Sequence, residues 1–331
     1  MPLIQLEHLR KEYRLSKKGA GLKGALQGLF KREEEIITAL DDLSFNIEAG
    51  EMVGYIGPNG AGKSTTIKIL CGILRPDTGI CHVAGRLPWR DRKEHVAEIG
   101  VVFGQRSQLW WDTPVRDSFD LLREIYHVPL NKYRKTHDDL VEQLQLAPLL
   151  ATPVRQLSLG QRMRCEIAAA LLHEPKILFL DEPTIGLDAV SKLAVRDFIK
   201  KINQEQDCTV ILTSHDMHDI EALAERIMLI GRGRLLYDGA LSRLKQTYLT
   251  NLTIEIKDPN PNIDLPEIDL PYGLSVAQRS GGHIYFNLTK QVLDINTALQ
   301  AIAQNFPLSE LILRDEDIDE LILKLYKELQ L

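Results

Sequence analysis

The feature that most constrains this chain is a glycine-rich loop that separates an apolar run from a helical pattern. Residues 57–64, GPNGAGKS, match the pattern G-x-x-x-x-G-K-[ST]. Glycines there let backbone N–H groups turn towards a phosphate, and the start of the following helix adds partial positive charge. In this pattern Lys63 reaches the β- and γ-phosphates and Ser64 offers a hydroxyl to Mg²⁺. A chance glycine-rich turn is the alternative, which the apolar run Met52–Ile56 and the helical pattern on either side disfavour.

Two carboxylates end a second apolar run. Ile177–Leu180 leads directly into Asp181 and Glu182. A buried strand would bring these side chains to its carboxyl end, where ligands bind in doubly wound sheets. We expect Asp181 to hold Mg²⁺ through water and Glu182 to polarise an attacking water. Two solvated acids at a strand end are the alternative, and the preceding phosphate loop makes it the weaker one.

Short apolar strands alternate with helical patterns along the first part of the chain. The run Val210–Thr213 is a further strand, and residues 160–173 form a strong helical pattern. This alternation predicts a mainly parallel sheet that is covered on both faces. The first segment, Leu3–Tyr13, is predicted to be an edge strand, and residues 113–150 are predicted to be helical with prolines as breakers.

The composition changes near Thr247, and residues 258–273 are rich in Pro and Asp. Beyond this point we expect strands at 252–257, 283–288 and 308–313, and helices at about 291–304 and 315–329. An apolar stripe with helical spacing supports the last helix. The pattern predicts a small α+β domain at the carboxyl end.

Length and charge narrow the class of protein. At 331 residues the chain is expected to form two domains. Its 40 Lys and Arg against 46 Asp and Glu give a net charge of −6, which disfavours nucleic acid as a partner. The sequence shows no signal-peptide pattern and no apolar run of about 18 residues, so we expect any role at a membrane to depend on docking or surface contact. The four separated cysteines are expected to be reduced thiols.

Between the two site motifs lies the segment that identifies a family. Residues 157–161, LSLGQ, closely resemble the LSGGQ signature of ABC ATPases. Four further positions resemble family motifs in the family's order: an adenine-contacting aromatic at Tyr13, the Q-loop glutamine Gln105, the D-loop Gly186–Asp188 and the switch histidine His215. An ordinary strand tyrosine remains the alternative for Tyr13. The resemblance spans residues 3–240.

The resemblance implies the fold. It implies an α/β ABC ATPase domain of the P-loop NTPase type over residues 1–240, with a RecA-like core, an antiparallel β subdomain and a helical subdomain at about residues 105–165. The small α+β domain is then expected at residues 247–331.

The resemblance also implies ATP hydrolysis with Mg²⁺ and assigns the site. The expected catalytic residues are Glu182, His215 and Gln105. The expected Mg²⁺ ligands are Ser64, Gln105 and Asp181. The expected ATP-binding residues are Tyr13, Gly57, Pro58, Asn59, Gly60, Ala61, Gly62, Lys63, Ser64, Thr65, Ser158, Gly160 and Gln161. Two nucleotide-binding subunits, identical or different, would pair head to tail, with ATP between Lys63 of one and Ser158 of the other.

One residue departs from the family pattern. Leu159 replaces the first glycine of the signature's glycine pair. Ser158 and the N–H of Gly160, the groups expected to contact phosphate, are retained. A leucine removes backbone freedom without blocking that contact, so we expect it to be a subfamily trait, with reduced activity as the alternative.

Within the family the chain resembles daunorubicin-resistance-like ATPases of the drug- and glycolipid-export class. The segments VVFGQRSQLWWD at 101–112 and LDEPTIGLDAVSK at 180–192 carry this likeness, together with the ending DEDIDELILKLYKEL at 315–329. It implies an exporter subunit beneath permease subunits, peripheral to the cytoplasmic face of the inner membrane. An importer ATPase subunit remains an alternative. A soluble non-transport ABC ATPase is a weaker one, because the chain has one nucleotide domain, no heptad run and a negative net charge. The presence of both Glu182 and His215 argues against a non-catalytic regulatory protein.

An insert at residues 16–35 and a tryptophan pair suggest further contacts. The insert combines one apolar helical face with basic residues, a pattern typical of helices at a bilayer surface. A helix packed on its own domain is the equal alternative. Trp110 and Trp111 follow the Q-loop and are expected either to contact the permease or to pack in the core.

Overall fold

A computed structural model describes residues 2–16, 34–104, 106–214, 216–258, 269–308, 310–315 and 318–328. The chain divides into two compact units, residues 1–240 and residues 241–331. The helix expected within the insert lies outside the described residues, although the flanking strands reach Ser16 and Glu34. Gln105 and His215 also lie outside them.

The first unit is built around a six-stranded sheet. Its strand order is β5-β6-β7-β3-β8-β9, and its strands are β3 (Met52–Ile56), β5 (Ile99–Phe103), β6 (Ile177–Asp181), β7 (Thr209–Thr213), β8 (Arg226–Gly231) and β9 (Arg234–Ala240). All neighbours are parallel except the β8–β9 pair. The interior strands β3 and β7 are buried along their whole length, as expected for parallel strands covered on both faces. The predicted parallel sheet is confirmed.

A three-stranded antiparallel sheet flanks this core. It has the order β2-β1-β4, with β1 (Ile4–Ser16), β2 (Glu34–Ile47) and β4 (Thr78–Val83). The prediction of an edge strand at Leu3–Tyr13 is wrong, because Ile4 pairs with Ile47 on one side and Val83 on the other. Strand β4 is distant in sequence from β1, and half of its residues are exposed. No local apolar pattern therefore predicted it.

The described residues of the first unit form the helices α1 (Lys63–Leu70), α2 (Arg92–Val96), α3 (Val115–Ile125), α4 (Leu130–Gln143), α5 (Leu159–Leu171), α6 (Ala189–Gln206) and α7 (Met217–Leu223), with a 3-10 turn at Val154–Gln156. Pro114 and Pro129, predicted as breakers, stand at the N-caps of α3 and α4. A proline is tolerated at a helix start because its missing N–H has no partner to lose there. All four cysteines are free and buried.

The second unit is a small α+β fold. A four-stranded antiparallel sheet has the order β11-β12-β10-β13, with β10 (Asn251–Lys257), β11 (Leu274–Ser280), β12 (His283–Thr289) and β13 (Leu311–Asp315). Its helices are α8 (Leu241–Tyr248), α9 (Ile295–Asn305) and α10 (Ile318–Glu328). Phe286 and Ile302 lie in the core between the sheet and α9. Strand β11 was not predicted, since five of its seven residues are exposed, apolar and polar ones alike.

Truncating a core aromatic tests how much the buried main sheet contributes to the stability of the first unit. Phe179 in β6 is fully buried beside the predicted site. We expect Phe179→Ala to lower the free energy of unfolding of the first unit by about 3–5 kcal/mol, because transfer energy is lost and a cavity remains. Urea titration followed by tryptophan fluorescence reports this unit alone, since Trp89, Trp110 and Trp111 are all in it.

The matched control is Val190→Ala, at a position that is 78% exposed. We expect it to change the free energy of unfolding by less than about 0.5 kcal/mol. A loss of the same size in both variants would contradict the placement of Phe179 in the core.

Candidate functional site

The glycine-rich loop joins β3 to α1 at the carboxyl edge of the main sheet. Gly62 is the N-cap of α1 and has a φ of 108°, a left-handed conformation that favours glycine. A Cβ there would also lie 2.6 Å from the carbonyl oxygen of Ala39. The following residue, Lys63, starts the helix. The loop therefore has the strand–loop–helix setting that its sequence predicted.

Lys63 is folded back onto its own loop. Its ammonium group donates hydrogen bonds to the carbonyl oxygens of Gly57 and, at 3.2 Å, Pro58. Burial lowers the pKa of Lys63, while the negative charges of Glu182 and Asp181 act in the opposite direction. Because the hydrogen bonds of this ammonium group go to neutral carbonyl oxygens, it can exchange them for the charged oxygens of an anion.

The carboxylate pair lies at the end of β6, two strands away from β3 and its loop, with β7 between them. Register pairs Phe103, Asp181 and Thr213 side by side at the ends of β5, β6 and β7. The hydroxyl of Thr213 donates to Oδ1 of Asp181 over 2.6 Å, which fixes that carboxylate. Sequence reasoning missed Thr213, although it precedes Ser214 and His215 at the end of a predicted strand.

Glu182 has a strained backbone. Its φ is 57°, a left-handed value that is unfavourable for a residue with a Cβ. Its N–H donates to the carbonyl oxygen of Thr213 at 3.0 Å. Non-glycine residues in this conformation cluster at functional sites, where the surrounding structure holds them.

One cavity brings these parts together. It has a volume of about 260 Å³ and is lined by Ser64, Lys68, Ile73, Phe103, Gly104, Arg106, Asp181 and Glu182. Ser64 at the start of α1, Asp181 at the end of β6 and Glu182 directly after it thus line one shared space. Lys68 and Arg106 add basic charge to it, and sequence reasoning had not singled out either of them.

Tyr13 lies beside the start of α1. Its hydroxyl is 3.5 Å from Oγ1 of Thr65, and the Lys11 ammonium is 6.0 Å from the centre of its ring. The tyrosine therefore reaches from the antiparallel sheet to the first turn of α1, directly after the phosphate loop. This position is compatible with contact to the base of a nucleotide bound there.

The signature turn forms the start of α5. Ser158 is its N-cap: Oγ accepts from the N–H of Gln161 at 3.2 Å, and the Ser158 N–H donates to Oε1 of Gln161 at 2.9 Å. Ser158, Gly160 and Gln161 do not line the cavity that holds Ser64 and Asp181.

Leu159 packs against the D-loop of the same chain. A Cβ at Gly186 would lie only 2.7 Å from Cδ2 of Leu159, and Gly186 itself has a φ of 69°. Asp188 then caps α6 by accepting from the N–H of Ser191 at 2.9 Å. The signature turn and the D-loop are therefore in direct contact.

The chain that follows Gln105 is anchored to α5. Oε2 of Glu166 accepts from the N–H of Gln108 at 3.1 Å, and Oε1 accepts from the hydroxyl of Ser107. Burial raises the pKa of Glu166. Sequence reasoning missed this buried acid, which sits in an otherwise small and apolar stretch of the helix.

Within the described part of the chain, no helix has the length and apolar character needed to cross a bilayer.

Comparison with known proteins agrees with this geometry. Residues 40–185 match the family model described as ABC transporter. The chain is 32% identical over 218 residues to the ABC transporter ATP-binding protein NatA of Bacillus subtilis, which covers 66% of this chain and 88% of that protein. It is 36% identical over 207 residues to the daunorubicin resistance ATP-binding protein DrrA3 of Streptomyces coeruleorubidus, covering 62% and 65%. It is 31% identical over 288 residues to the methionine import ATP-binding protein MetN 2 of Enterococcus faecalis, covering 86% and 78%.

A solved structure gives the same result for the fold. The dimeric, post-hydrolysis state of the ATP-binding cassette MJ0796, bound to ADP and Pi, matches with a TM-score of 0.60 and 28% identity, over 72% of this chain and 98% of that one. The predicted P-loop NTPase fold of the ABC ATPase type is confirmed. The chain belongs to the ABC transporter family as an ATP-binding subunit that hydrolyses ATP.

Proposed function

We propose that this chain powers an exporter of a drug-like or amphipathic substrate, as one of two nucleotide-binding subunits that enclose ATP beneath membrane permease subunits. The observation that carries the ATP chemistry is the shared cavity of Ser64, Asp181 and Glu182 beside the buried Lys63. The export direction is supported by the likeness to DrrA3, by the ending at 315–329 and by the insert at 16–35.

Lys63 supplies the first step of binding. Its ammonium group would leave the carbonyl oxygens of Gly57 and Pro58 and donate to the β- and γ-phosphates. The remaining loop residues, 57–62, would surround the phosphates with backbone N–H groups. Tyr13 would contact the adenine. Thr65, at the start of α1, would hold the Tyr13 side chain through its hydroxyl.

The hydroxyl of Ser64 and the carboxylate of Asp181 fit Mg²⁺, which prefers oxygen ligands and retains water next to phosphates. Bound there, the ion would neutralise charge on the phosphate oxygens. Asp181 is already oriented for this role by the hydroxyl of Thr213. Gln105 is the third proposed ligand.

Glu182 would act as the base. Its carboxylate, on the cavity wall, would accept a hydrogen bond from the attacking water. It would take up a proton from this water as the bond between the γ-phosphorus and the oxygen bridging to the β-phosphate breaks. His215 would contact the γ-phosphate and this water, and Gln105 would help to position them.

The signature residues would act on the partner's ATP. The Oγ of Ser158 accepts within its own helix cap, which leaves its proton available to donate to a γ-phosphate. Gly160 would add an N–H, Gln161 would keep the cap in place, and the start of α5 would add partial positive charge. Their absence from the cavity lining and the dimeric form of the MJ0796 cassette both support action across a dimer.

An importer ATPase is the second candidate, because the likeness to MetN 2 extends over 86% of this chain. The two directions are separable with inside-out vesicles that contain the complete transporter. Export predicts ATP-dependent accumulation of substrate inside these vesicles. ATP-dependent loss of preloaded substrate would instead assign import and overturn the export proposal.

Trp110 and Trp111 support a site for the permease. They are 39% and 52% exposed, which is unusual for such large apolar side chains, and the guanidinium of Arg162 lies 5.7 Å from the Trp111 ring. Leu121 and Ile125 on α3 are also exposed. Docking of a permease on these side chains would hold the subunit at the cytoplasmic face of the inner membrane.

We expect Glu182→Gln to reduce ATP hydrolysis by about 100-fold or more, because the amide cannot take up the proton of the attacking water. Binding groups such as Lys63 are unchanged, so ATP should stay bound and hold the dimer together. Steady-state phosphate release and size-exclusion chromatography with ATP measure the two effects.

The matched control is Glu205→Gln, which removes an exposed carboxylate at the far end of α6. Its hydrolysis rate should equal that of the unaltered chain. Full hydrolysis by Glu182→Gln would refute the assignment of the base.

Removing residues 19–31 tests the insert. We expect ATP-driven transport by the permease complex to fall while basal hydrolysis stays constant, because the catalytic groups lie in other segments. A variant with a Gly/Ser segment of equal length in this place controls for disturbed pairing of β1 with β2. Unchanged transport in both variants would exclude a role of the insert at the membrane.

A further inference from the structure

A fully buried carboxylate joins three segments near the proposed base. Asp219 on α7 has no exposed surface. Its Oδ1 accepts from Nε of Arg196 on α6 at 2.6 Å and also pairs with Nη2 of that residue. Its Oδ2 accepts from the hydroxyl of Ser214 at 3.2 Å and from the hydroxyl of Thr184. Because the guanidinium compensates the charge, the interior holds this acid without an unpaired ion.

The two hydroxyl donors lie next to the catalytic segments. Thr184 is two residues beyond Glu182, and it is buried. Ser214 follows Thr213, whose carbonyl accepts from the N–H of Glu182 at 3.0 Å. Asp219 therefore holds the chain on both sides of the strained residue: directly at Thr184 and, through Ser214, at the strand end that receives Glu182.

A second set of bonds makes the Ser214 anchor rigid. Oγ of Ser214 also accepts from the N–H of Asp216 at 3.0 Å. Asp216 caps α7 through the N–H of His218, at 3.0 Å, and accepts from Nζ of Lys192 at 2.6 Å. The start of α7 is thereby tied to α6 by two separate ion pairs, and Asp219 is fixed relative to the strand end.

We propose that Asp219 is a positioning residue for ATP hydrolysis and acts through Thr184. The left-handed backbone of Glu182 is unfavourable and persists only if its neighbours restrain it. The bond from Thr184 to Asp219 supplies that restraint on the carboxyl side of Glu182. It keeps the Glu182 carboxylate on the wall of the cavity shared with Ser64 and Asp181. This inference rests on the proposed role of Glu182 as the base.

The chain offers a threonine pair that separates positioning from folding. Asp219→Asn would leave Arg196 uncompensated in the interior and disturb the fold, so Thr184 is the better site. Thr184→Val removes one hydroxyl and keeps the ion pair of Asp219 with Arg196. Thr209→Val is the control, since Thr209 is equally buried at the opposite end of β7 and bonds the N–H of Gly50 at 2.8 Å.

We expect Thr184→Val to lower kcat for ATP hydrolysis about tenfold or more, because a small displacement of a catalytic group is costly. The KM for ATP should stay within about twofold, since the residues that bind phosphate are unchanged. Thr184→Ser, which keeps the hydroxyl, should restore kcat. Thr209→Val should lose thermal stability without losing kcat.

Glu182→Gln, measured in parallel, keeps the two hypotheses apart. If Glu182→Gln is inactive while Thr184→Val and Thr209→Val both keep full kcat, the positioning role is overturned and the base assignment stands. If Glu182→Gln keeps full activity, the base assignment fails, and a loss of kcat in Thr184→Val then contradicts action through Glu182. A rise in KM with unchanged kcat in Thr184→Val also overturns the inference.

Discussion

The parallel register of β6 and β7 is the constraint on which the site depends. It places Asp181 opposite Thr213, so a single hydrogen bond of 2.6 Å fixes the carboxylate at the carboxyl edge of the sheet. The same register brings the carbonyl of Thr213 to the N–H of Glu182. Because β3 is the other neighbour of β7, the phosphate loop emerges at this edge as well. Two segments that are far apart in sequence thus meet without any direct pairing of β3 with β6.

Local patterns in the sequence predicted the parts of the site that are continuous in the chain. The loop at 57–64 and the pair Asp181 and Glu182 each carry their chemistry within a few residues, so strand, turn and helix signals were sufficient to place them. The prolines at 114 and 129 were predicted as breakers on local grounds too, and they stand at helix N-caps. Alternating burial and turn residues are local properties, and a single sequence displays them.

Properties that depend on distant partners were not predictable in this way. The position of β1 between two strands was missed because β4 has no apolar alternation of its own. The buried acids Glu166 and Asp219 were missed because their partners lie up to 59 residues away along the chain. A charged residue in a helix resembles a surface residue until its donors are known. Buried acids such as Glu166 and Asp219 therefore could not be told from surface acids by their helical sequence alone.

Leu159, which stands where the family signature has a glycine, is accommodated by a residue that is distant in sequence. A leucine at the first turn of α5 needs space, and the space exists because Gly186 has no side chain. The positive φ of Gly186 independently favours glycine at that position. Two separate requirements thus converge on one residue of the D-loop, and neither involves the hydroxyl of Ser158 or the N–H of Gly160. The leucine therefore supplies a contact between the signature turn and the D-loop of the same chain, and this contact does not use the groups proposed to contact phosphate.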